Sequence, residues 1–133
     1  MPASRRAWPL LLLLLLAGCS AGGNSSSIAA GRIAYEANCA KCHGDAATGE
    51  WGLPDTPVHG PKGHTWHHAD GQLMEIILGT LNIPDRTMPS FESILTEVEV
   101  MGILEYIKTG WYQQQVEQQR EVSANWEDLY PEK

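Results

Sequence analysis

The sequence predicts an all-α domain in which a few short helices are separated by long loops. Helical spacing of apolar residues recurs in three segments, and no segment shows convincing strand alternation. Residues 44–68 contain five glycines, three prolines and four histidines without a periodic apolar pattern, which predicts one long loop. Loops of that length in compact domains are usually functional.

The first helix is predicted over residues 27–38, "SIAAGRIAYEAN". Ser27 is a suitable N-cap, and Ile33 and Ala37 are one turn apart. This helix runs directly into a motif with two cysteines, so it would fix the position of that motif.

The second helix is predicted to begin near Asp70 and to stop at Gly79. The third has the clearest signals, because Thr96 and Glu99 have the spacing of a capping box and Gly110 follows the last apolar position. The two helices would bury apolar stripes formed by Leu73, Ile76 and Ile77, and by Val100, Ile103, Leu104 and Ile107.

The two ends of the chain are predicted to lie outside the domain. Residues 1–18 have the layout of a signal peptide, with two arginines before a leucine run that is far shorter than the roughly 18–20 residues of a membrane-spanning helix. Residues 19–27 have the composition of a flexible linker. The domain itself is predicted over residues 28–111, and residues 112–133 form an extension that is either a partly helical arm packed on the domain or a docking surface.

The sequence "LAGC", residues 16–19, resembles the bacterial lipobox, after which the cysteine is lipidated. The resemblance implies a protein tethered through Cys19 to a membrane, on the side outside the cytoplasm. The alternative is an ordinary signal cleaved nearby, with Cys19 left as a free thiol. Several acyl chains on one cysteine would give a stable anchor, whereas a single chain is marginal.

The charge excludes one class of partner. Without residues 1–18 the chain has seven Lys and Arg against sixteen Asp and Glu, a net charge of −9. Nucleic-acid binding requires a basic surface, so no nucleic-acid partner is expected. The acidic balance is suited to steering a basic partner, although it also serves solubility.

Cys39, Cys42 and His43 form the motif C-x-x-C-H, which is the attachment motif of haem c. The two thiols can add to the two vinyl groups of one haem while the adjacent imidazole reaches the iron. A thioredoxin-like redox pair would need a βαβ context, and a zinc site would need further ligands at suitable spacing. A structural disulfide is the remaining alternative, but the export signal favours haem, because c-type attachment occurs outside the bacterial cytoplasm.

With this motif, the chain resembles the class I c-type cytochromes, which are small monohaem electron carriers. Gly31 and Tyr35 precede "CAKCH", "TMPSF" contains Met88 before a proline, and the last helix contains Tyr106, which would cross the first helix near Gly31. The resemblance covers about residues 28–111. It implies a small cytochrome c fold, with three core helices and long loops wrapped around one covalently bound haem c.

The resemblance also implies site residues. His43 and Met88 would be the axial iron ligands, and Met88 is the only methionine after the signal segment that lies in a predicted loop. Pro54 or Pro57 would supply the carbonyl that orients the His43 imidazole. The remaining predicted pocket residues are Tyr35, Leu53, Pro54, Trp66, Leu73, Ile76, Ile77 and Phe91.

The histidines of the long loop, His59, His64, His67 and His68, allow several interpretations. Trp66 and one histidine would bond the haem propionates, while the others would cap the helix at Asp70 or face water. Histidine spacing of this kind would also suit copper or zinc. A loop histidine replacing the methionine as axial ligand is a further alternative.

The predicted function is therefore that of a single-electron carrier and not of an enzyme. Its partners would be membrane redox complexes or redox enzymes, which the lipid tether would keep at high effective concentration. One alternative is a haem site that binds gases or peroxide. The other is a haem protein with an additional copper site among the loop histidines.

Overall fold

The computed structural model describes residues 22–131, and all regular structure within that range is helical. The all-α prediction is therefore confirmed. The predicted signal peptide, residues 1–18, and Cys19 lie outside the described residues. The bounds of the five helices are α1 Gly22–Asn38, α2 Ala40–His43, α3 Asp70–Leu78, α4 Glu97–Lys108 and α5 Gln113–Leu129.

Helix α1 begins at Gly22, five residues before the predicted cap at Ser27, so part of the predicted linker is helical. The polar and glycine-rich composition that suggested a linker therefore did not prevent helix formation here. At its other end α1 is followed by the single turn of α2, because the amide of His43 donates to the carbonyl of Cys39 over 2.9 Å. The cysteine motif is thus a continuation of the first helix.

The predicted signals at the ends of α3 and α4 are present. Gly79 ends α3 with φ of 86°, the left-handed conformation that favours glycine. Thr96 caps α4 through a complete capping box, in which its hydroxyl accepts from the amide of Glu99 and the Glu99 carboxylate accepts from the amide of Thr96. A 3₁₀ helix, Thr65–His67, interrupts the loop that was predicted to be irregular.

Helices α1 and α4 cross with their backbones almost in contact. A Cβ atom placed on Gly31 would lie 1.8 Å from the carbonyl oxygen of Gly102, so no side chain fits at the crossing. Tyr106 was predicted to cross α1 near Gly31, but it packs edge-on against Tyr35, with ring centroids 5.6 Å apart. The aromatic contact lies one turn further along α1 because the two glycines occupy the crossing itself.

Helix α5 is the C-terminal extension, and it packs on the domain. Gln119 is only 2 % exposed and Ser123 is 9 % exposed, although both are polar. The interpretation of the extension as a packed helical arm therefore agrees with the structure. The remaining core is apolar and consists of Tyr35, Cys39, Ala46, Leu73, Ile77, Phe91, Leu95, Val100, Ile103, Leu104, Ile107 and Trp111.

Across residues 22–131, none of the helices combines the length and the apolar character that a membrane crossing requires.

Candidate functional site

The two cysteines of the motif are free thiols that face different surroundings. Cys39 is buried, whereas Cys42, one helical turn later, is half-buried. Burial, with a smaller contribution from Cys42, raises the pKa of the Cys39 thiol to about 11. Because neither thiol is consumed in a disulfide, both are available for covalent attachment of a ligand.

His43 is held in one orientation by a backbone carbonyl. Its Nδ1–H donates to the carbonyl oxygen of Pro57 over 2.9 Å, since a carbonyl can only accept. The lone pair of the neutral ring is therefore on Nε2, the nitrogen available to a metal. The sequence left Pro54 and Pro57 as alternatives for this carbonyl. The structure places the carbonyl of Pro57 there.

A cavity of about 230 Å³ opens beside His43 and is partly open to solvent. Its lining is largely apolar, as is common for cofactor pockets. The lining comes from helices α1 to α4 and from the loops on either side of α3. The residues are Tyr35, Cys39, His43, Pro57, His59, His64, Thr65, His68, Leu73, Ile76, Ile77, Met88, Ile103, Leu104 and Ile107.

Met88 borders the same cavity from an irregular segment between α3 and α4. This segment, residues 79–95, is called the methionine loop below. The guanidinium of Arg86 donates to three backbone carbonyls, at 2.6 Å to Met88, 2.6 Å to Ile76 and 3.0 Å to Pro89. Arg86 thereby ties the backbone at Met88 and Pro89 to the end of α3.

Arg86 was not recognised from the sequence. Its position two residues before Met88 in "DRTMP" gives no information about carbonyl partners, and a charged loop residue is more often solvated. The signal that could have identified it is the need of an irregular, half-buried loop for a donor to its unpaired carbonyls.

Half of the predicted pocket residues line the cavity and half do not. Tyr35, Leu73, Ile76 and Ile77 do, together with Ile103, Leu104 and Ile107 from the apolar stripe predicted on the third helix, whose apolar face was expected to line the pocket. Leu53 is 53 % exposed and instead lines an adjoining groove with Cys42, and Phe91 is buried in the core away from the cavity. Trp66 does not line the cavity either.

The indole N–H of Trp66 has a protein partner, because it donates to the carbonyl of Gly63 over 3.1 Å. Its ring lies against His67, with ring centroids 3.6 Å apart. The indole N–H of Trp66 is therefore already paired within its own loop. The expected histidine cap of α3 is absent, since the N-cap Ala69 has no side-chain partner and His68 donates to the side-chain oxygen of Gln72.

His59 packs beside His43, with ring centroids 4.3 Å apart. Its Nδ1 forms a hydrogen bond with the hydroxyl of Thr65 over 2.8 Å. Burial, with a smaller contribution from His43, lowers the pKa of His59 to about 3, so this side chain is neutral at physiological pH. His59 is thus part of the cavity wall. The sequence did not indicate this, because it did not distinguish which of the four loop histidines would lie at the cavity.

The other loop histidines are stacked and do not converge on one point. His64 stacks on His67 with ring centroids 4.4 Å apart and meets His68 edge-on at 5.2 Å. Throughout the described part of the chain, no group of three or more His, Cys, Asp or Glu side chains is arranged to hold a metal ion. The copper-site alternative therefore receives no support from the geometry.

The residues present fit haem c. Cys39 and the oriented His43 line a cavity with an apolar lining, Cys42 lines the adjoining groove, and Met88 borders both. These are the donor types that c-type cytochromes use, with thiols for attachment and nitrogen and thioether sulfur for iron.

Comparison with known proteins agrees with this chemistry. The family model described as cytochrome c oxidase, cbb3-type, subunit III matches residues 26–107, which is more than half of the chain. The chain belongs to this family. It is thus a c-type cytochrome with a cytochrome c domain, and it binds haem c. No curated protein and no solved structure matches the chain significantly.

The match ends before the C-terminal helix. It begins four residues into α1 and ends at Ile107, one residue before the end of α4. Trp111 and the whole of α5 therefore lie outside the part shared with the family.

Proposed function

We propose that this cytochrome carries single electrons through one haem c attached to Cys39 and Cys42. Membership of the family already makes it a haem-based electron carrier in general. The observation that carries the finer proposal is the pairing of an oriented His43, with its Nε2 lone pair free, and Met88 around one apolar cavity. Haem iron supplies the redox chemistry by gaining and losing one electron.

We assign the axial ligation to His43 and Met88, as in class I cytochromes. The Pro57 carbonyl keeps the His43 ring in one tautomer and orientation, and Arg86 keeps the Met88 backbone in place. Both proposed ligand residues are therefore held by hydrogen bonds within the chain. A thioether ligand and an apolar cavity both raise the reduction potential, which suits a position toward the oxidising end of an electron-transfer chain.

The ligand assignment is tested with Met88→Leu, which removes the sulfur and nearly preserves the volume. We expect the weak long-wavelength band of methionine bound to ferric iron to be present in the wild-type protein and absent from the variant. The potential of the variant should also be lower. Met74→Leu and Met101→Leu are matched controls, since both methionines lie in helices and pack against the core.

Two results would contradict the assignment. One is persistence of the band in the Met88→Leu protein. The other is rapid binding of carbon monoxide to the reduced wild-type protein at neutral pH, which would show an open iron position and favour the gas- or peroxide-binding alternative. Metal analysis after dialysis completes the test, since copper in an amount equal to iron would revive the copper-site alternative.

We further propose that the chain is a lipoprotein tethered through Cys19 to a membrane, on the side outside the cytoplasm. The support is the sequence "LAGC" after a short leucine run. Fractionation of cells that express the full chain should place the protein with membranes, and Cys19→Ser should release it into the soluble extracytoplasmic fraction. Recovery of the wild-type protein only in the soluble fraction would refute the tether.

The proposed partner is a redox complex of the membrane. The family takes its name from an oxidase subunit, and the net charge of −9 after loss of the signal segment favours a partner with a basic docking surface. Electron transfer to such a complex should slow as ionic strength rises, because screening weakens charge steering. A rate independent of salt would argue against charge-guided docking.

A further inference from the structure

The two buried side chains of α5, Gln119 and Ser123, are polar, and polar groups of α5 meet one segment of the domain. This segment, residues 59–69, is called the histidine loop below. Gln115, Gln119 and Ser123 are spaced four residues apart, so they form one stripe along α5. A helix that only covered a core would present apolar residues along this stripe.

The contacts follow the order of the chain. Just before α5, the indole N–H of Trp111 donates to the carbonyl of His59 over 2.7 Å. The side-chain amide of Gln115 donates to the carbonyl of Pro61 over 2.8 Å. The later residue, Gln115, thus bonds to the later residue of the loop, Pro61. This order is expected of a helix that runs beside the loop.

Gln119 holds the far end of the loop. Its amide nitrogen donates to the carbonyl of His68 over 3.2 Å and to the Asp70 carboxylate over 2.7 Å. The hydroxyl of Ser123 accepts from the amide of Asp70 over 3.0 Å. The second carboxylate oxygen of Asp70 pairs with Lys108 over 2.6 Å, so this residue joins α3, α4 and α5.

The segment held in this way carries part of the cavity wall. His59, His64, Thr65 and His68 all line the cavity, and each is in the histidine loop. The loop carbonyls at residues 59, 61 and 68 are bonded by side chains that lie outside the family match. The wall therefore depends on a part of the chain that is additional to the cytochrome c domain.

We propose that α5 is a clamp that holds the histidine loop against the haem, with Gln119 and Trp111 as positioning residues. The proposal rests on the proposed function, because the wall is useful only around a haem. Holding the loop excludes water from this side of the cavity, and lower solvent exposure raises the potential. Loss of the clamp should therefore lower the potential while the Met88 ligand, which belongs to the other loop, stays bound.

The test uses the full chain with Gln119→Glu, which keeps the size of the side chain, removes both donated hydrogen bonds and sets a carboxylate against Asp70. Gln118→Glu is the matched control, because its exposed neighbouring side chain undergoes the same chemical change. We expect hydrogen exchange of the amides in residues 59–69 to rise by at least roughly tenfold, since each of the two lost hydrogen bonds changes an opening equilibrium by a factor of about three to ten. The midpoint potential should shift downward with the methionine band retained, and Gln118→Glu should change neither.

Trp111→Phe gives a second variant, in which the hydrogen bond to His59 is lost and the buried aromatic ring becomes smaller. It should increase exchange near His59 and lower the potential in the same direction. Unchanged loop exchange in both variants would show that α5 is no clamp. Increased exchange with an unchanged potential would overturn the positioning role and leave a contribution to stability alone.

These outcomes are distinguishable from failure of the proposed function. If the proposed function failed, the wild-type protein itself would lack the methionine band. The exchange measurement compares the wild type with a variant and does not depend on the iron. Circular dichroism of each variant establishes that the helices remain, so a folding defect is recognised directly.

Discussion

The two loops that border the cavity are stabilised in different ways. The methionine loop is held by residues near it in sequence, because Arg86 and Ser90 donate to carbonyls at the end of α3 that are 10 and 12 residues away. The histidine loop is held by partners that are 51 to 54 residues away. The domain thus carries its own support for the predicted sulfur ligand, while the wall beside the imidazole relies on the extension.

We therefore expect ligation of the iron and exclusion of water from the haem to be separable in this cytochrome. Substitutions in the methionine loop should affect the iron ligand, and substitutions on α5 should affect the water exposure of the haem. Substitutions in the crossing of α1 and α4 should affect both, because α1 leads into the cysteine motif and α4 follows the methionine loop.

The largest effect is expected from Gly31→Ala. The added Cβ would lie 1.8 Å from a backbone oxygen of α4, so the two helices must separate and the free energy of unfolding should fall by about 3 kcal/mol. In an ordinary helix, alanine is more favourable than glycine by about 1 kcal/mol. A net loss of unfolding free energy would therefore show that the two helices are in close contact at Gly31. Thermal or denaturant unfolding measures it.

Arg32→Ala is the control for this substitution, because Arg32 is the exposed neighbour of Gly31 and forms only a surface pair with Glu36. It should change the free energy of unfolding by less than about 0.5 kcal/mol. A Gly31→Ala protein as stable as the wild type would show that α1 and α4 do not cross in this way.

A smaller effect is expected from Arg86→Met, which removes three donated hydrogen bonds from the methionine loop. We expect a loss of about 2 kcal/mol in unfolding free energy, since bonds from a charged donor are worth more than neutral ones. The methionine band should weaken and exogenous imidazole should bind the ferric iron more readily. Exchange in the histidine loop should be unchanged.

Arg32→Met is the matched control for Arg86→Met, since it makes the same chemical change at an exposed helical site. If both variants bound imidazole equally, the loop would not be held by Arg86. The opposite pattern, with altered exchange in residues 59–69, would mean that the two loops are coupled.

The smallest effects are expected at the point where the methionine loop returns to α4. Thr96→Ala removes the hydroxyl that accepts from the amide of Glu99, which should cost about 1 kcal/mol. Hydrogen bonds donated by the Thr96 backbone and hydroxyl lower the pKa of Glu99 below its usual 4.5. The stabilisation from this carboxylate is present above pH 4.5 and is lost as the pH falls through the lowered pKa.

This pH dependence can be isolated by comparing unfolding of the wild type and Glu99→Gln between neutral pH and pH 3. The variant should lose less stability on acidification than the wild type. Parallel curves for the two proteins would show that the Glu99 carboxylate contributes nothing to the start of α4.

The features whose geometry could be predicted from the sequence are those set by residues close together in the chain. The cysteine motif, the capping box and the glycine that ends α3 are each complete within a few residues, so their geometry is readable from the sequence. The carbonyl partner of His43 remained open between two prolines because irregular backbone between residues 44 and 57 sets the choice.

The parts that differ from prediction depend on distant contacts. The glutamines of the extension have no local pattern that reveals buried partners, and yet Gln119 is among the most buried side chains described. Trp66 was predicted to bond a haem propionate, and its indole N–H is paired with the carbonyl of Gly63, three residues earlier. Phe91 was assigned to the cavity by its apolar character, which does not distinguish a cavity wall from a core.

The distance in sequence between the histidine loop and its anchors also bears on how the cytochrome matures. A chain leaving the ribosome or the export channel presents the cysteine motif long before residues 111–123, so the hydrogen bonds from these residues cannot yet form. The histidine wall is then the last part of the cavity to be fixed. Haem could enter the cavity and bond to both thiols while the side formed by the histidine loop is still open. Folding of residues 111–123 would then close that side.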